Sequence, residues 1–218
     1  MQLQRYFLEL SYKGTGYCGW QVQPNDRTVQ GEINTVLSKL NGLKTVTSMG
    51  CGRTDTGVHA SLFYAHFDFV EVKDLDVFKY KMNNMLPKDI VIHKLFKVDQ
   101  DAHARYDATS RTYNYFLSNS KNAFNHDVTL QFNEELSVTD MNLACDILMM
   151  YTDFECFSKV KTDVNNFNCT ISKAHWEATK EGYVFVISAN RFLRNMVRAI
   201  VGTMLDVGTG KLKVEELH

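Results

Sequence analysis

Proline is nearly missing from this chain of 218 residues, which holds two, and no linker or low-complexity stretch interrupts it. Nothing in the composition therefore marks a flexible tether between its parts. The five cysteines, Cys18, Cys51, Cys145, Cys156 and Cys169, are odd in number and contain no C-x-x-C pair. That argues against a disulfide framework and against a zinc knuckle. The seven histidines have no metal-ligand spacing either, so no metal is expected. No apolar run approaches the roughly 20 residues that cross a bilayer. An alternating, strand-like pattern starts at Arg5, so no signal peptide is read. The expectation is a cytoplasmic protein with no membrane partner. The glycine-rich residues 12–21 end in neither G-K-[ST] nor G-x-G-x-x-G, so no nucleotide cofactor is expected. They leave open a loop whose backbone approaches a ligand closely.

A charge excess is lacking too. The net charge is −1, which on its face disfavours a nucleic-acid partner. The local balance differs. Residues 156–204 hold seven Lys or Arg (Lys159, Lys161, Lys173, Lys180, Arg191, Arg194, Arg198) against three acids, a distribution suited to facing a polyanion.

The elements that are present have a definite order. Residues 5–12 alternate as a strand. Residues 28–40 read as a helix capped by Thr28, with Val29, Ile33, Val36, Leu37 and Leu40 on one face. Strands follow at 44–49 and 61–69, then a helix at 74–86 with Leu75, Phe78, Met82 and Met85 inward, and a strand at 90–98. This β-α-β-β-α-β order is that of a ferredoxin-like split βαβ unit. The rest repeats the theme imperfectly, with a strand at 111–118 and a helix at 140–150. A hairpin over 167–178 and 183–190 turns at Glu181-Gly182, and a helix spans 191–205. The fold class expected is α+β. Two ferredoxin-like (RRM-like) halves, 1–102 and 103–218, would carry antiparallel sheets flanking a central, positively charged cleft.

Three stretches could carry chemistry. Gly52-Arg53-Thr54-Asp55-Thr56-Gly57-Val58-His59 lies between two strands, which puts Asp55 on a tight connection. An arginine two residues away favours the ionised carboxylate, a reasonable nucleophile or anchor. An Asp that merely caps a turn fits the residue types equally well. Cys51 beside it reads as a small apolar residue. In the helix at 191–205, Arg191, Arg194 and Arg198 fall within about 60° of one another. A solvated face is the ordinary reading, yet no acid intervenes from Ser188 to Met204. Finally, residues 104–115 interleave arginines with tyrosines and place Arg111, Tyr113 and Tyr115 on one strand face. Such a face either packs a sheet or stacks on an extruded base.

Together these motifs resemble the tRNA pseudouridine synthases of the TruA type. The resemblance runs from Tyr12-Lys13-Gly14-Thr15 and Gly19-Trp20-Gln21 through the Asp55 string and His103-Ala104-Arg105. It continues through residues 111–115 and Asp153-Phe154-Glu155-Cys156-Phe157 to Phe192-Leu193-Arg194-Asn195-Met196-Val197-Arg198. It implies the pseudouridine synthase fold and isomerisation of uridine in the tRNA anticodon arm, at positions 38, 39 and 40. In the family pattern Asp55 is the catalytic nucleophile, Arg198 its basic partner and Tyr113 the ring stacked on the uracil. Arg53 and Arg105 hold RNA and help flip the nucleotide, and Lys13, Arg191 and Arg194 are further substrate-binding candidates. No cofactor or metal is implied, and a homodimer is. The family continues past the Arg198 helix into a hydrophobic strand, for which no counterpart is read before His218. A non-catalytic RNA-binding protein on the same fold is the alternative. It gives no reason for a carboxylate facing a polyanion.

Overall fold

Tyr6, Leu8, Leu10 and Tyr12 alternate along the first strand and are all buried in the computed structural model, while the odd-numbered residues between them are half-covered. Residues 3–159 and 166–217 are described, so Lys161 lies outside the described residues. By density of internal packing the chain divides at Ala108 and Thr109 into two units. Residues 103–108 thus belong with the first unit.

The first unit contains β1 (Gln4–Tyr12), α1 (Val29–Leu40), β2 (Ser48–Gly50), β3 (Ala60–Phe69), α2 (Leu75–Met85) and β4 (Ile90–Lys97). Its sheet has the order β2-β3-β1-β4, with every pair antiparallel, as a ferredoxin-like split βαβ unit requires. Thr28 accepts from the Gly31 N–H through its side chain and Asp74 from that of Val77, which fixes both helix starts. Val29, Ile33, Val36 and Leu37 of α1 and Phe78 and Met82 of α2 pack on the even-numbered face of β1. Met85 is exposed rather than inward, because α2 ends beside it and Leu86 takes the buried place. The strand expected at 44–49 is confined to β2. Val46 N–H is taken by the Ser38 hydroxyl and Ser48 N–H by Asn34 Oδ1, so side chains of α1 satisfy backbone that a ladder would otherwise use.

The second unit contains β5 (Arg111–Ser118), β6 (Leu130–Gln131), α3 (Val138–Met149), β7 (Ile171–Thr179), β8 (Gly182–Ala189) and α4 (Met196–Gly208). The order is β6-β5-β8-β7. The sheet is mixed, not purely antiparallel, because the two-residue β6 pairs parallel with β5. Both β6 residues are exposed, so no apolar alternation announces them. The β7–β8 hairpin turns at Lys180-Glu181, and Gly182 begins β8 with φ +145°. Leu117, Trp176, Phe185 and Ile187 from the sheet close over Met141, Cys145 and Leu148 of α3 and Ile200 and Met204 of α4. The Cys145 thiol is pushed up to about 12 by burial, so it stays protonated and acts as an apolar filler. After α4 the chain makes a 3-10 turn at Val214–Leu217.

α4 begins later than its apolar spacing suggests. Asn195 stands before it in the left-handed region, φ +68°, a conformation Asn tolerates better than most side chains. Met196 N–H closes a turn onto the Leu193 carbonyl, which drives Leu193 into the core. Arg191 and Arg194 therefore precede the helix, and only Arg198 lies on it. The expected three-arginine helix face does not exist.

Candidate active site

Asp55 opens a tight turn. The Val58 N–H donates to the Asp55 carbonyl at 3.2 Å, and Gly57, third in the turn, takes φ +78°. Glycine adopts that value without steric cost. The turn's hydrogen bond thus uses main chain, and the exposed Asp55 carboxylate caps nothing among the described residues. Arg53 is exposed as well, and no ion pair joins the two among the described residues.

The glycine-rich loop fastens this turn from outside. Gly57 N–H donates to the Tyr17 carbonyl and Trp20 N–H to that of Thr54, each at 3.2 Å. Gly14 N–H donates to His59 Nδ1 at 3.1 Å, and the Tyr12 and Thr54 hydroxyls meet at 2.9 Å. A side-chain carbon on Gly14 would lie 2.0 Å from the Val58 carbonyl oxygen, and one on Gly19 2.3 Å from that of Thr54. Only glycine permits this approach. The close partner of these glycines is the Asp55 loop. Cys51, ahead of it, packs partly buried against the core.

Tyr17 anchors the assembly to the rest of the unit. It is 2% exposed, its hydroxyl donates to Asp89 Oδ1 at 2.5 Å, and the Arg27 guanidinium lies 4.6 Å from its ring centre. Burial, then the bond to Asp89, holds the phenol above its usual range, so it remains a donor. Lys13 is exposed at the loop entrance, with its main-chain N–H on the Asp89 carbonyl at 2.9 Å. Lys13, Arg53 and Asp55 are thereby placed on two loops that share one set of main-chain contacts.

Arg105 reaches the same unit differently. Arg5 and Asp68 pair in fork geometry, at 2.8 and 2.9 Å, on the sheet face away from the helices. Arg5 also donates to the Ala102 carbonyl at 3.1 Å. Next to them His66, 7% exposed, accepts the Ala104 N–H at Nδ1, 3.1 Å away. Burial, then the Arg5 charge and His103, hold the His66 imidazole down to about 4, so it is neutral near pH 7. Ala104 is buried here, and the flanking Arg105 and Tyr106 point into solvent.

In the second unit Tyr113, on β5 opposite Ile187, is half-buried with its ring edge-on to Phe192 at 5.2 Å. Arg111 donates to the Asn190 carbonyl at 2.7 Å. Arg194 is exposed, its carbonyl accepting from the Lys159 N–H at 3.1 Å, and Arg198 is exposed in the first turn of α4. Arg191 is half-exposed on the segment between β8 and α4. The sequence marks Gly14 and Gly19 as a loop open to close backbone approach but not that the Asp55 loop is what approaches, and it assigns no role to Tyr17 or His66. The two glycines were visible as a cluster, but their partner is some 40 residues away in the chain. His66 sits in an ordinary strand pattern and gave no signal.

Among the described residues no helix is long and apolar enough to cross a membrane. No group of three or more His, Cys, Asp or Glu there is disposed to hold a metal ion.

The profile of a family described as tRNA pseudouridine synthase matches residues 151–218. The tRNA pseudouridine synthase A of Parabacteroides distasonis is 48% identical over 215 residues, 98% of this chain and 84% of that protein. The Bacteroides fragilis protein of the same name is 47% identical over 220 residues, covering 100% and 87%. That of Clostridium botulinum Eklund 17B is 37% identical over 212 residues, covering 96% and 86%. Similarity of this extent covers both units and both loops built around Asp55, and the chain belongs to the tRNA pseudouridine synthase family.

Proposed function

We propose that this protein isomerises uridine to pseudouridine in the anticodon arm of tRNA, at positions 38, 39 and 40, with Asp55 as nucleophile. The observation that carries the reading is the Asp55 turn itself. Its carboxylate is exposed and uncommitted to capping, on backbone locked by contacts that only Gly14 and Gly19 allow. A turn built only for stability needs no such support for an exposed charge. The reaction breaks the N1–C1′ bond, turns the base and joins C5 to C1′. The C5 hydrogen leaves as a proton and N1 gains one, so atoms balance with no redox partner. Tyr113 and Arg198 take the roles that the family pattern gives their positions, ring stacking and charge partner. Arg53, Arg105, Lys13, Arg191 and Arg194 meet the RNA. The working form is a homodimer in the cytoplasm, a state that sedimentation equilibrium measures directly.

Tritium release from tRNA carrying label at uridine C5 tests the reaction, since a binding protein or a nucleoside hydrolase frees none. Asp55→Asn should abolish release while melting temperature and tRNA affinity stay near wild type, because Asn preserves the turn. Sizeable residual release from Asp55→Asn would remove Asp55 from the nucleophile's role.

A further inference from the structure

The segment carrying Arg105 is built more firmly than its small buried content requires. Five consecutive main-chain N–H groups are all satisfied within it or by the sheet beneath. His103 N–H donates to Asp107 Oδ2 at 2.7 Å and Ala104 N–H to His66 Nδ1. Arg105 N–H ends on His103 Nδ1 at 3.2 Å, and Tyr106 N–H is shared between the His103 carbonyl at 3.1 Å and Nδ1 at 3.3 Å. The Asp107 N–H returns to the His103 carbonyl at 2.9 Å. A short loop with every donor occupied is rigid. Yet the only apolar side chain it buries is Ala104.

What this frame supports is a ladder of rings leading outward. His66, buried on the sheet, lies 4.5 Å centre to centre from His103, and His103 lies 4.2 Å from Tyr106 with a 31° tilt. Tyr106 is 76% exposed. Its ring is therefore braced on one side and open to solvent elsewhere. The Arg105 guanidinium carbon is 6.0 Å from the Tyr106 ring centre. A pre-positioned aromatic face beside a cation is the pairing that single-stranded nucleic acid uses. The base stacks and the phosphate meets the charge.

We propose that Tyr106, backed by His103, is a stacking platform for one unpaired base of the RNA substrate, with Arg105 meeting the adjoining phosphate. The inference rests on the RNA-modifying activity proposed above. Tyr106 belongs to the first unit, whereas Tyr113 lies on β5 of the second. The platform adds a contact outside the reacting uridine and would act on affinity, not on chemistry.

The test uses the full chain and an anticodon stem-loop RNA, with affinity read for wild type, Tyr106→Phe, Tyr106→Leu and Tyr106→Ala. Phe keeps the π face and should bind within twofold of wild type. Leu and Ala should bind about 5- to 150-fold more weakly, the fold-change that corresponds to 1–3 kcal/mol for one stacked base. A set of stem-loops, each abasic at one loop position, locates the base. At one position the abasic change should weaken wild type but not Tyr106→Ala. The exposed ring carries no core packing, so melting temperatures should agree within about two degrees, which separates loss of binding from loss of fold. Equal affinity of wild type and Tyr106→Ala, or losses in Phe as large as in Leu, overturns the platform. C5 tritium release by wild type on the same RNA is measured alongside. Its absence would defeat the proposed reaction, whereas release together with unchanged Tyr106→Ala affinity would defeat the platform alone.

Discussion

Gly14→Ala adds one carbon where the structure has no room for it. The new Cβ would lie 2.0 Å from the Val58 carbonyl oxygen and 2.7 Å from its carbon, both main chain of the Asp55 loop. Ordinary contact begins near 3.4 Å, so the two loops must part by about 1.4 Å before the atoms are merely touching. No flexible side-chain tip is available to yield. Forced overpacking of this kind typically destabilises by about 1–3 kcal/mol. The functional cost should exceed the structural one. A misplacement of about 1 Å in a catalytic group can lower rate about 100-fold, and here the displaced segment carries Asp55. The Gly14 N–H bond to His59 is strained by the same movement. Turnover at saturating tRNA should therefore fall by about two orders of magnitude, with the sheet core of the first unit intact and tRNA affinity little changed. Gly16→Ala, two residues on, meets only Arg27 Nη1 at 3.6 Å and is the matched control, expected within threefold of wild type. Single-turnover pseudouridine formation, with circular dichroism melts of each variant, reads both quantities. A Gly14→Ala rate within threefold of wild type would refute the idea that these loops lock one another.

Three further outcomes are expected. Tyr113→Phe should keep the edge-on contact with Phe192 and so leave stability and tRNA affinity near wild type while slowing isomerisation; Tyr113→Ala, at a half-buried ring, should lose about 1–2 kcal/mol of stability as well. Equal turnover in Tyr113→Phe and wild type would remove any role for the hydroxyl. His66 titrates near 6.5 when unfolded but is held to about 4 in the fold, so the unfolded chain takes up a proton there first. Stability from this site is complete above pH 6.5 and declines by up to about 3 kcal/mol as pH falls toward 4. In urea melts across that range, His66→Asn, which keeps an acceptor but cannot titrate, should flatten the slope; an unchanged slope would acquit His66. Gly202→Ala, at an exposed α4 position with nothing within 4 Å of the new carbon, should stabilise by up to about 1 kcal/mol and raise Tm by a few degrees without altering turnover. A lower Tm would contradict it.

Local patterning in the sequence determined most elements. The 3.6-residue spacing of Val29, Ile33 and Val36 and the caps Thr28 and Asp74 place α1 and α2. The two-residue alternation of β1 places its buried face and yields the split βαβ order. The Asp55 string lies in the stretch read as a connection between strands, because glycine, Asp and Thr are legible turn residues wherever they occur. The start of α4 was not legible. Phe192, Leu193 and Met196 have helical spacing, but burial of Leu193 and a left-handed Asn195 outweigh local propensity, and the arginine face disappears with them. β6 was invisible because two exposed residues carry no periodicity. What tertiary structure alone decided is proximity between segments distant in the chain. Gly14 meets Val58, Tyr17 meets Asp89, and His66 meets Ala104. Each of these depends on atoms excluded from, or bonded to, one place in space, and a linear pattern records hydrophobic period but not that exclusion.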